Sequence, residues 1–305
     1  MDKLDSELLA SIADMHSVPQ GAYNIRKNGK LLGRKTSANI EIATKTDKPG
    51  IDIRIADNTQ NESVHIPVII TQTNLNDLVY NDFYIGENCN ITIIAGCGIH
   101  NDGADTSQHD GIHSFFVGKN SKVTYIEKHL GTGKGTGNKI LNPVTILNLN
   151  ENAQMTMQTI QLGGVSSAVR ETKAHLNNGS KLEINEKILT EFEQTAKTLF
   201  EVELNGDDSS VQVISRSVAK GNSQQIFASK IQGNAKCFGH VECDAIIMDN
   251  AKVQSVPEIT ANNVDASLTH EAAIGKIAGE QILKLMTLGL TSQEAEQMII
   301  KGFLD

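Results

Sequence analysis

Aromatic residues are scarce in this sequence: its 305 residues include no tryptophan, four tyrosines and eight phenylalanines. A β-propeller commonly places a bulky aromatic residue in each blade, so this composition argues against that fold. Long apolar runs are also missing, because no stretch approaches the roughly 20 residues of a membrane-spanning helix. Residues 1–15 carry five charges and lack the apolar segment of a signal peptide. We therefore expect a cytoplasmic protein that is not inserted in a membrane.

Positive charge is in deficit: 27 Lys and Arg residues stand against 36 Asp and Glu residues, for a formal net charge of -9. The sequence contains no block of Lys and Arg, whereas nonspecific nucleic-acid binding needs several cations on one face. We expect no nucleic-acid partner.

Cysteine is rare, with Cys89, Cys97, Cys237 and Cys243 as the full set. Four cysteines in so long a chain do not make a dense disulfide framework. We therefore predict free thiols or metal ligands.

Isoleucine, asparagine and glycine are abundant, at 33, 26 and 25 residues. This mixture favours short strands separated by tight turns. A turn rich in Gly, Asn and Asp, followed by an alternating strand, recurs along the chain. The first apolar residues after these turns are 32, 32, 27, 29, 26 and 16 residues apart, and they are Ile91, Val123, Met155, Leu182, Val211, Cys237 and Val253.

Such spacings indicate stacked repeats, in which each unit buries its inner face against its neighbours. We predict a mainly β protein, a β-helix whose inward-facing residues include Ile91, Val123, Met155, Leu182 and Val211. The alternative is a β-sandwich with irregular loops. The length permits one large or two ordinary domains.

The helical and strand patterns divide the chain into three predicted segments. Residues 1–20 form an N-terminal helical arm, with a helix at residues 5–13, and residues 21–266 form the β-helix core, which begins with a hairpin at Asn28-Gly29. Residues 267–305 form a C-terminal helical segment.

Two short helices are predicted in that C-terminal segment. The first covers residues 277–288 and ends at Gly289, and the second starts at the capping box Thr291-Ser292-Gln293-Glu294 and ends before Gly302. They could be a solubilising cap or a docking surface for a partner.

One group of metal-ligand residue types lies in the first half of the chain. It comprises Cys97, His100, His109, His113 and His129. Thiolate and imidazole suit zinc or iron, so these residues could form the site of a metal-binding β-solenoid enzyme. Alternatively, the histidines belong to a polar turn and face water.

A second candidate is Cys243, on the predicted strand His240-Val241-Glu242-Cys243-Asp244. Strand alternation places Cys243 on the same face as Val241 and Ala245, the predicted inner face. A small buried thiol in the core is the simpler explanation. The adjacent pair His270-Glu271 could ligate iron or cap a helix.

The sequence offers no nucleotide-binding loop. Gly133-Lys134 resembles the end of a Walker A motif, but the position of its first glycine is occupied by Lys128. We interpret Gly131–Gly137 as a flexible loop.

The last third of the chain resembles the SufB/SufD family, the scaffold proteins of the SUF iron–sulfur cluster assembly system. The resemblance rests on an ordered set of motifs: Glu242-Cys243-Asp244-Ala245-Ile246-Ile247, Ser255-Val256-Pro257-Glu258-Ile259, Leu268-Thr269-His270-Glu271-Ala272-Ala273-Ile274-Gly275-Lys276-Ile277, Leu288-Gly289-Leu290-Thr291 and Gly302-Phe303. Gly21-Ala22-Tyr23-Asn24-Ile25-Arg26 is similar to the short, archaeal-type branch.

The resemblance implies a right-handed parallel β-helix whose terminal helices dock a SufC-type ABC ATPase. It also implies that Cys243 is the sulfur or cluster site, with His270 and Glu271 near it. On this basis we expect a non-enzymatic scaffold that holds a transient iron–sulfur cluster of the 4Fe–4S type. Iron would be held by Cys243 with His270 or Glu271 of the same or the facing chain.

A homodimer is the expected assembly, because one chain would supply both halves of a SufB–SufD pair. A sulfur donor and apo iron–sulfur proteins would be its further partners. The rival within the family is a structural SufD-like protein without a cluster of its own.

Overall fold

Strands dominate the computed structural model, which describes residues 2–161 and 163–304. The described strands lie in two sheets of ten strands each. The first sheet contains, in spatial order, β2 (Lys30–Lys35), β1 (Ala22–Lys27), β5 (Gln60–Ile70), β7 (Asn90–His100), β9 (Lys122–Thr132), β12 (Gln154–Gln161), β14 (Lys181–Thr190), β16 (Ser209–Ala219), β18 (Cys237–Ile247) and β20 (Ser267–Gly275).

The second sheet is described from the other end of the molecule, starting at the last turn. In spatial order it contains β19 (Lys252–Ala261), β17 (Gln224–Gly233), β15 (Thr195–Leu204), β13 (Ser167–Leu176), β10 (Lys139–Leu141) with β11 (Val144–Leu149), β8 (Ser107–Val117), β6 (Asn76–Ile85), β4 (Gly50–Ile55) and β3 (Ile40–Thr44).

Successive strands of the chain alternate between the two sheets, and each strand pairs in parallel with the strand one turn later. The result is a β-solenoid of about 8 turns, which confirms the predicted β-helix and excludes a sandwich of antiparallel sheets. Antiparallel pairing occurs only at the start of the described chain, in β1–β2 and β3–β4. The first of these pairs is the hairpin predicted at Asn28-Gly29.

The repeat spacing is the length of one turn. Ile91 lies beside Val123 on the next strand, and the partnership continues through Met155, Leu182 and Val211. All five side chains are buried, as predicted. The pattern fails at the last two positions: Val211 pairs with Gly239 rather than Cys237, and Val253 lies in the second sheet. The spacing of 16 residues is therefore half a turn.

Asparagine at the turns explains how the chain bends once per rung. Asn58, Asn88, Asn120 and Asn152 have φ between 55° and 63°, a left-handed conformation that asparagine tolerates. Their amides also hydrogen-bond from rung to rung at 3.2–3.4 Å. The abundance of asparagine in the sequence thus has a local cause.

The N-terminal helix, α1 (Lys3–Ala13), packs on the outer face of the first sheet. Leu8, Leu9 and Ile12 are its buried apolar residues, and they contact β1, β5, β7 and β9. The helix lies close to Gly96, where a Cβ atom would come within 2.6 Å of the Ile12 carbonyl oxygen. Lys27 pairs with Asp5 at 2.6 Å, and Lys128 pairs with Asp14 at 2.7 Å.

The C-terminal part differs from expectation at two points. Strand β20 extends the solenoid beyond residue 266, because Leu268 and His270 continue the inward alternation. Helices α2 (Gly279–Met286) and α3 (Ser292–Leu304) follow, and the predicted capping box is present between Thr291 and Glu294. Gly302 lies inside α3 rather than after it.

Within the described residues, no helix is both long and apolar enough to span a membrane.

Candidate functional site

A column of polar side chains runs through the interior of the solenoid. Glu127, Thr159, Glu186, Ser215 and Cys243 are lateral partners on five successive strands of the first sheet, and all five are buried. Their strands place them inward because side chains alternate between the two faces of a sheet. Cys243 stands near the end of this column, with only β20 beyond its strand.

The thiol of Cys243 is neutral at physiological pH. Burial raises its pKa to about 11, and the field of Glu186 acts in the same direction, whereas the Ser255 hydroxyl favours the thiolate. A buried thiol that must act as a ligand therefore has to lose its proton when the metal binds.

His270 lies on the same inner face, on the last strand of the first sheet. Its Nδ1 is 3.3 Å from Ser229 Oγ and its Nε2 is 3.4 Å from Ser255 Oγ. Burial lowers the pKa of His270, which keeps the imidazole neutral and able to ligate. Ser255 thus contacts His270 and also influences the Cys243 thiol, so the two predicted residues share one environment.

Glu271 lies on the other side of the strand. It is exposed on the outer face, where its lateral partner is Glu242. Burial and neighbouring Asp244 raise the pKa of Glu242. Within one chain, therefore, His270 shares the face of the Cys243 thiol and Glu271 does not.

Four of the five metal-ligand residues predicted in the first half of the chain lie close together. Cys97, His109, His113 and His129 line one internal cavity of about 20 Å³. Gly111 leaves room between two of the rings, because a Cβ atom there would lie 3.1 Å from His113 Nε2 and 3.4 Å from His109 Nε2.

Each of these internal histidines has a hydrogen-bonding partner. His109 Nδ1 donates to Asp77 at 3.1 Å, and His113 Nδ1 donates to the Tyr125 hydroxyl at 2.8 Å. Tyr125 in turn donates to Glu127. His129 Nδ1 accepts from Arg170 at 3.2 Å.

Burial controls the charge of this group. It lowers the pKa of His113 to about 4 and also lowers that of His129. Burial, together with the carboxylates of Asp77 and Glu127, holds the pKa of the Cys97 thiol well above its ordinary value. His113 and His129 are therefore neutral near pH 7.

His100 does not join the group. It is on the outward side of β7, where its ring contacts Thr132 Oγ1 at 2.9 Å and Asp102 Oδ2 at 3.0 Å. Among residues 2–161 and 163–304, no three His, Cys, Asp or Glu side chains are placed to hold a metal ion. The alternative of histidines in a water-facing turn is wrong for His109, His113 and His129, because these three residues are buried.

Three buried ionisable residues, Glu127, Arg170 and Glu186, were not predicted from the sequence. Arg170 forms a close ion pair with Glu127, and its Nε lies 3.9 Å from Glu186 Oε1. Glu186 also accepts hydrogen bonds from Thr198 at 2.9 Å and Ser215 at 2.7 Å. Strict alternation would have found them, since Glu127 lies between the inward residues Tyr125 and His129.

The end of the solenoid near Cys243 is apolar and uncovered. Strands β19 and β20 are the last of their sheets, and Val256, Ile259 and Ile274 on them are exposed. Helix α2 has no buried residue, and Leu283, Met286, Leu288 and Met298 of the helical segment are exposed. Exposed apolar groups of this extent mark interaction surfaces.

Comparisons with known proteins agree on one family. A family model described as SUF system FeS cluster assembly, SufBD core domain, matches residues 72–303. An iron–sulfur cluster assembly SufBD family protein of Pyrococcus horikoshii is 30% identical over 280 residues, which cover 90% of this chain and 84% of that protein.

Two further archaeal relatives carry the same description. The protein of Methanocaldococcus jannaschii is 27% identical over 243 residues, covering 79% of this chain and 76% of the relative. That of Methanothermobacter thermautotrophicus is 28% identical over 240 residues, covering 78% of this chain and 57% of the relative.

Proposed function

The chain belongs to the SufBD core-domain family of the SUF iron–sulfur cluster assembly system, and from this membership we propose that it is a scaffold on which a cluster is built and then transferred. The observation that carries the proposal is that Cys243 and His270 lie on the same inner face of the last two strands of the first sheet, both beside Ser255. Thiolate and imidazole are both good ligands for iron, and so few of them hold a cluster weakly. Weak ligation suits a cluster that must be handed on.

Iron and sulfide are the substrates in this account. Sulfide supplied by a donor protein reaches Cys243, and the Cys243 thiol loses its proton to solvent as iron binds. His270 of the same chain supplies the second ligand. Glu271 faces outward, so in this proposal it acts as a ligand only from a facing chain, and the completed cluster is of the 4Fe–4S type.

A homodimer provides that facing chain. The exposed Val256, Ile259 and Ile274 lie on the two edge strands, and an uncovered apolar strand edge pairs readily with another chain. Two copies joined through this end bring their Cys243 ends together. The proposed dimer therefore places the cluster site at its centre.

A SufC-type ABC ATPase is the proposed energy source. Helices α2 and α3 and the turn between them offer it an apolar surface, formed by the exposed Leu283, Met286, Leu288 and Met298. The scaffold itself performs no ATP hydrolysis in this proposal.

The test is anaerobic reconstitution of the full chain co-expressed with its ATPase. We expect bound iron and sulfide in comparable amounts, and their transfer to an apo iron–sulfur protein when ATP is added. A complex that forms with the ATPase but takes up neither iron nor sulfide would contradict the scaffold and would fit a structural SufD-like role.

A further inference from the structure

Five buried side-chain polar atoms have no hydrogen-bond partner in the described part of the chain, and three of them belong to residues that are buried as a whole. These three are Thr159 Oγ1, Gln161 Nε2 and Thr172 Oγ1. A buried donor or acceptor without a partner is costly, and native proteins usually satisfy such atoms with protein groups or ordered water.

Two of the three share a cavity. Thr159 and Gln161 line an internal space of about 10 Å³ together with Arg170, Glu186 and Thr198. A cavity needs roughly 10–15 Å³ in this measure to hold one water molecule. The space therefore suits one water and nothing larger.

Four charged residues line the cavity, and they are Arg170, Glu186, Lys187 and Lys197. The Arg170 guanidinium is already paired with Glu127, and burial raises the pKa of Glu186, which favours its uncharged form. Arg170 Nε and Glu186 Oε1 are 3.9 Å apart, too far for a direct hydrogen bond. Polar groups at such a separation are commonly bridged by water.

We propose that one ordered water molecule occupies this cavity, hydrogen-bonded to Thr159 and Gln161 and bridging Arg170 to Glu186. It joins the Glu127–Arg170 pair to the Glu186–Ser215 hydrogen bond in one continuous network. The water site is independent of the function proposed above.

A matched pair of variants tests the water site. Thr159→Val keeps the side-chain shape but removes a partner of the water, so its melting temperature should fall by a few degrees. Thr172→Val removes an unpaired hydroxyl that does not line this cavity, so its melting temperature should stay the same or rise. A Thr159→Val protein as stable as Thr172→Val, or more stable, would overturn the proposal.

A crystal structure of the unmodified chain gives a second, direct reading. At about 1.8 Å resolution or better, ordered water is visible, and we expect one peak within hydrogen-bonding distance of Thr159 Oγ1 and Gln161. A well-ordered but empty cavity would refute the water site even if the variants failed to fold.

Discussion

Strand alternation decides which single residues can act together. It predicted from the sequence that Cys243 faces inward with Val241 and Ala245, and all three are buried. The same rule separates His270 from Glu271, which the sequence motif presents as a pair. Adjacent residues of a strand point to opposite faces, so within one chain Glu271 lies on the other face of the strand from His270.

The buried charges show the limit of reasoning from residue types. Histidine and cysteine stand out as metal ligands, so the sequence groups Cys97, His100, His109, His113 and His129. The structure brings all of them but His100 together, and it adds partners that residue types alone do not show. Arg170 and Glu127, which interact with that group, are 43 residues apart in sequence. Only the stacking of turns brings them together.

Acid should destabilise the fold through His113. The pKa of His113 is about 4 in the folded chain and 6.5 for the free side chain. Between these pH values the unfolded chain therefore binds a proton that the folded chain does not bind. Stability from this group is present above pH 6.5 and is lost as the pH falls toward 4, by at most about 3 kcal/mol.

Urea unfolding of the wild type and His113→Gln between these pH values measures the effect. We expect a shallower pH dependence in the variant, whose side chain does not titrate. Parallel curves for the two proteins would show that His113 is not the group responsible.

Amphipathic spacing was sufficient to predict the helices as elements. The boundaries of the helical segment were predicted less well. Residues 267–275 form β20, which pairs with β18 and completes the last turn of the solenoid. This pairing is a long-range contact that the local sequence pattern does not show. Gly302 continues α3 since a glycine ends a helix only where the backbone turns left-handed.

The packing of α1 on the first sheet depends on glycine at position 96. In Gly96→Ala the new Cβ atom would lie 2.6 Å from the carbonyl oxygens of Ile12 and Lys128, so the helix must move outward. We expect a loss of about 1–3 kcal/mol in the free energy of unfolding.

Gly33→Ala is the control for that variant, because its Cβ atom would meet Tyr23 at an ordinary 3.5 Å. Chemical denaturation of both proteins provides the measurement. Equal stability of the two variants would mean that α1 does not pack against β7 as described.

The α2–α3 segment should bind the ATPase through its exposed leucines. Leu283 is 62% exposed, so Leu283→Glu leaves the fold intact while placing a charge in the proposed interface. We expect at least a tenfold weaker association, measured by calorimetric titration of the full chain. Leu31→Glu, at a side chain that is 54% exposed in β2, is the control and should bind normally. Unchanged affinity of Leu283→Glu would place the ATPase elsewhere.

At the scale of the whole molecule, edge strands form both described ends of the solenoid. Antiparallel strands β2 and β3 lie at the first end, and parallel strands β19 and β20 lie at the last end, where Val256, Ile259 and Ile274 are exposed. The repeat pattern predicted the stack of turns but not the exposure of these residues, because exposure depends on what packs on the last turn.

A charge at the end formed by β19 and β20 should separate the proposed dimer. Ile274→Asp is expected to sediment as a monomer where the wild type sediments as a dimer, because an aspartate in an apolar interface loses its hydration. Leu32→Asp, at an exposed position in β2, serves as the control and should remain dimeric. A dimeric Ile274→Asp protein would place the interface on another surface.

The central claim is that Cys243 is the thiol on which the cluster is assembled. Cys237 is its closest control, since it is also buried on the inner face of β18, and Cys97 represents the internal histidine group. The decisive measurement is iron and sulfide per chain after anaerobic reconstitution of Cys243→Ser, Cys237→Ser and Cys97→Ser. Serine removes the soft ligand with little change in volume, so the account predicts that Cys243→Ser folds but loses most iron and sulfide while Cys237→Ser and Cys97→Ser retain them. Retention by Cys243→Ser together with loss by Cys97→Ser would contradict the account and would move the site to the histidine group.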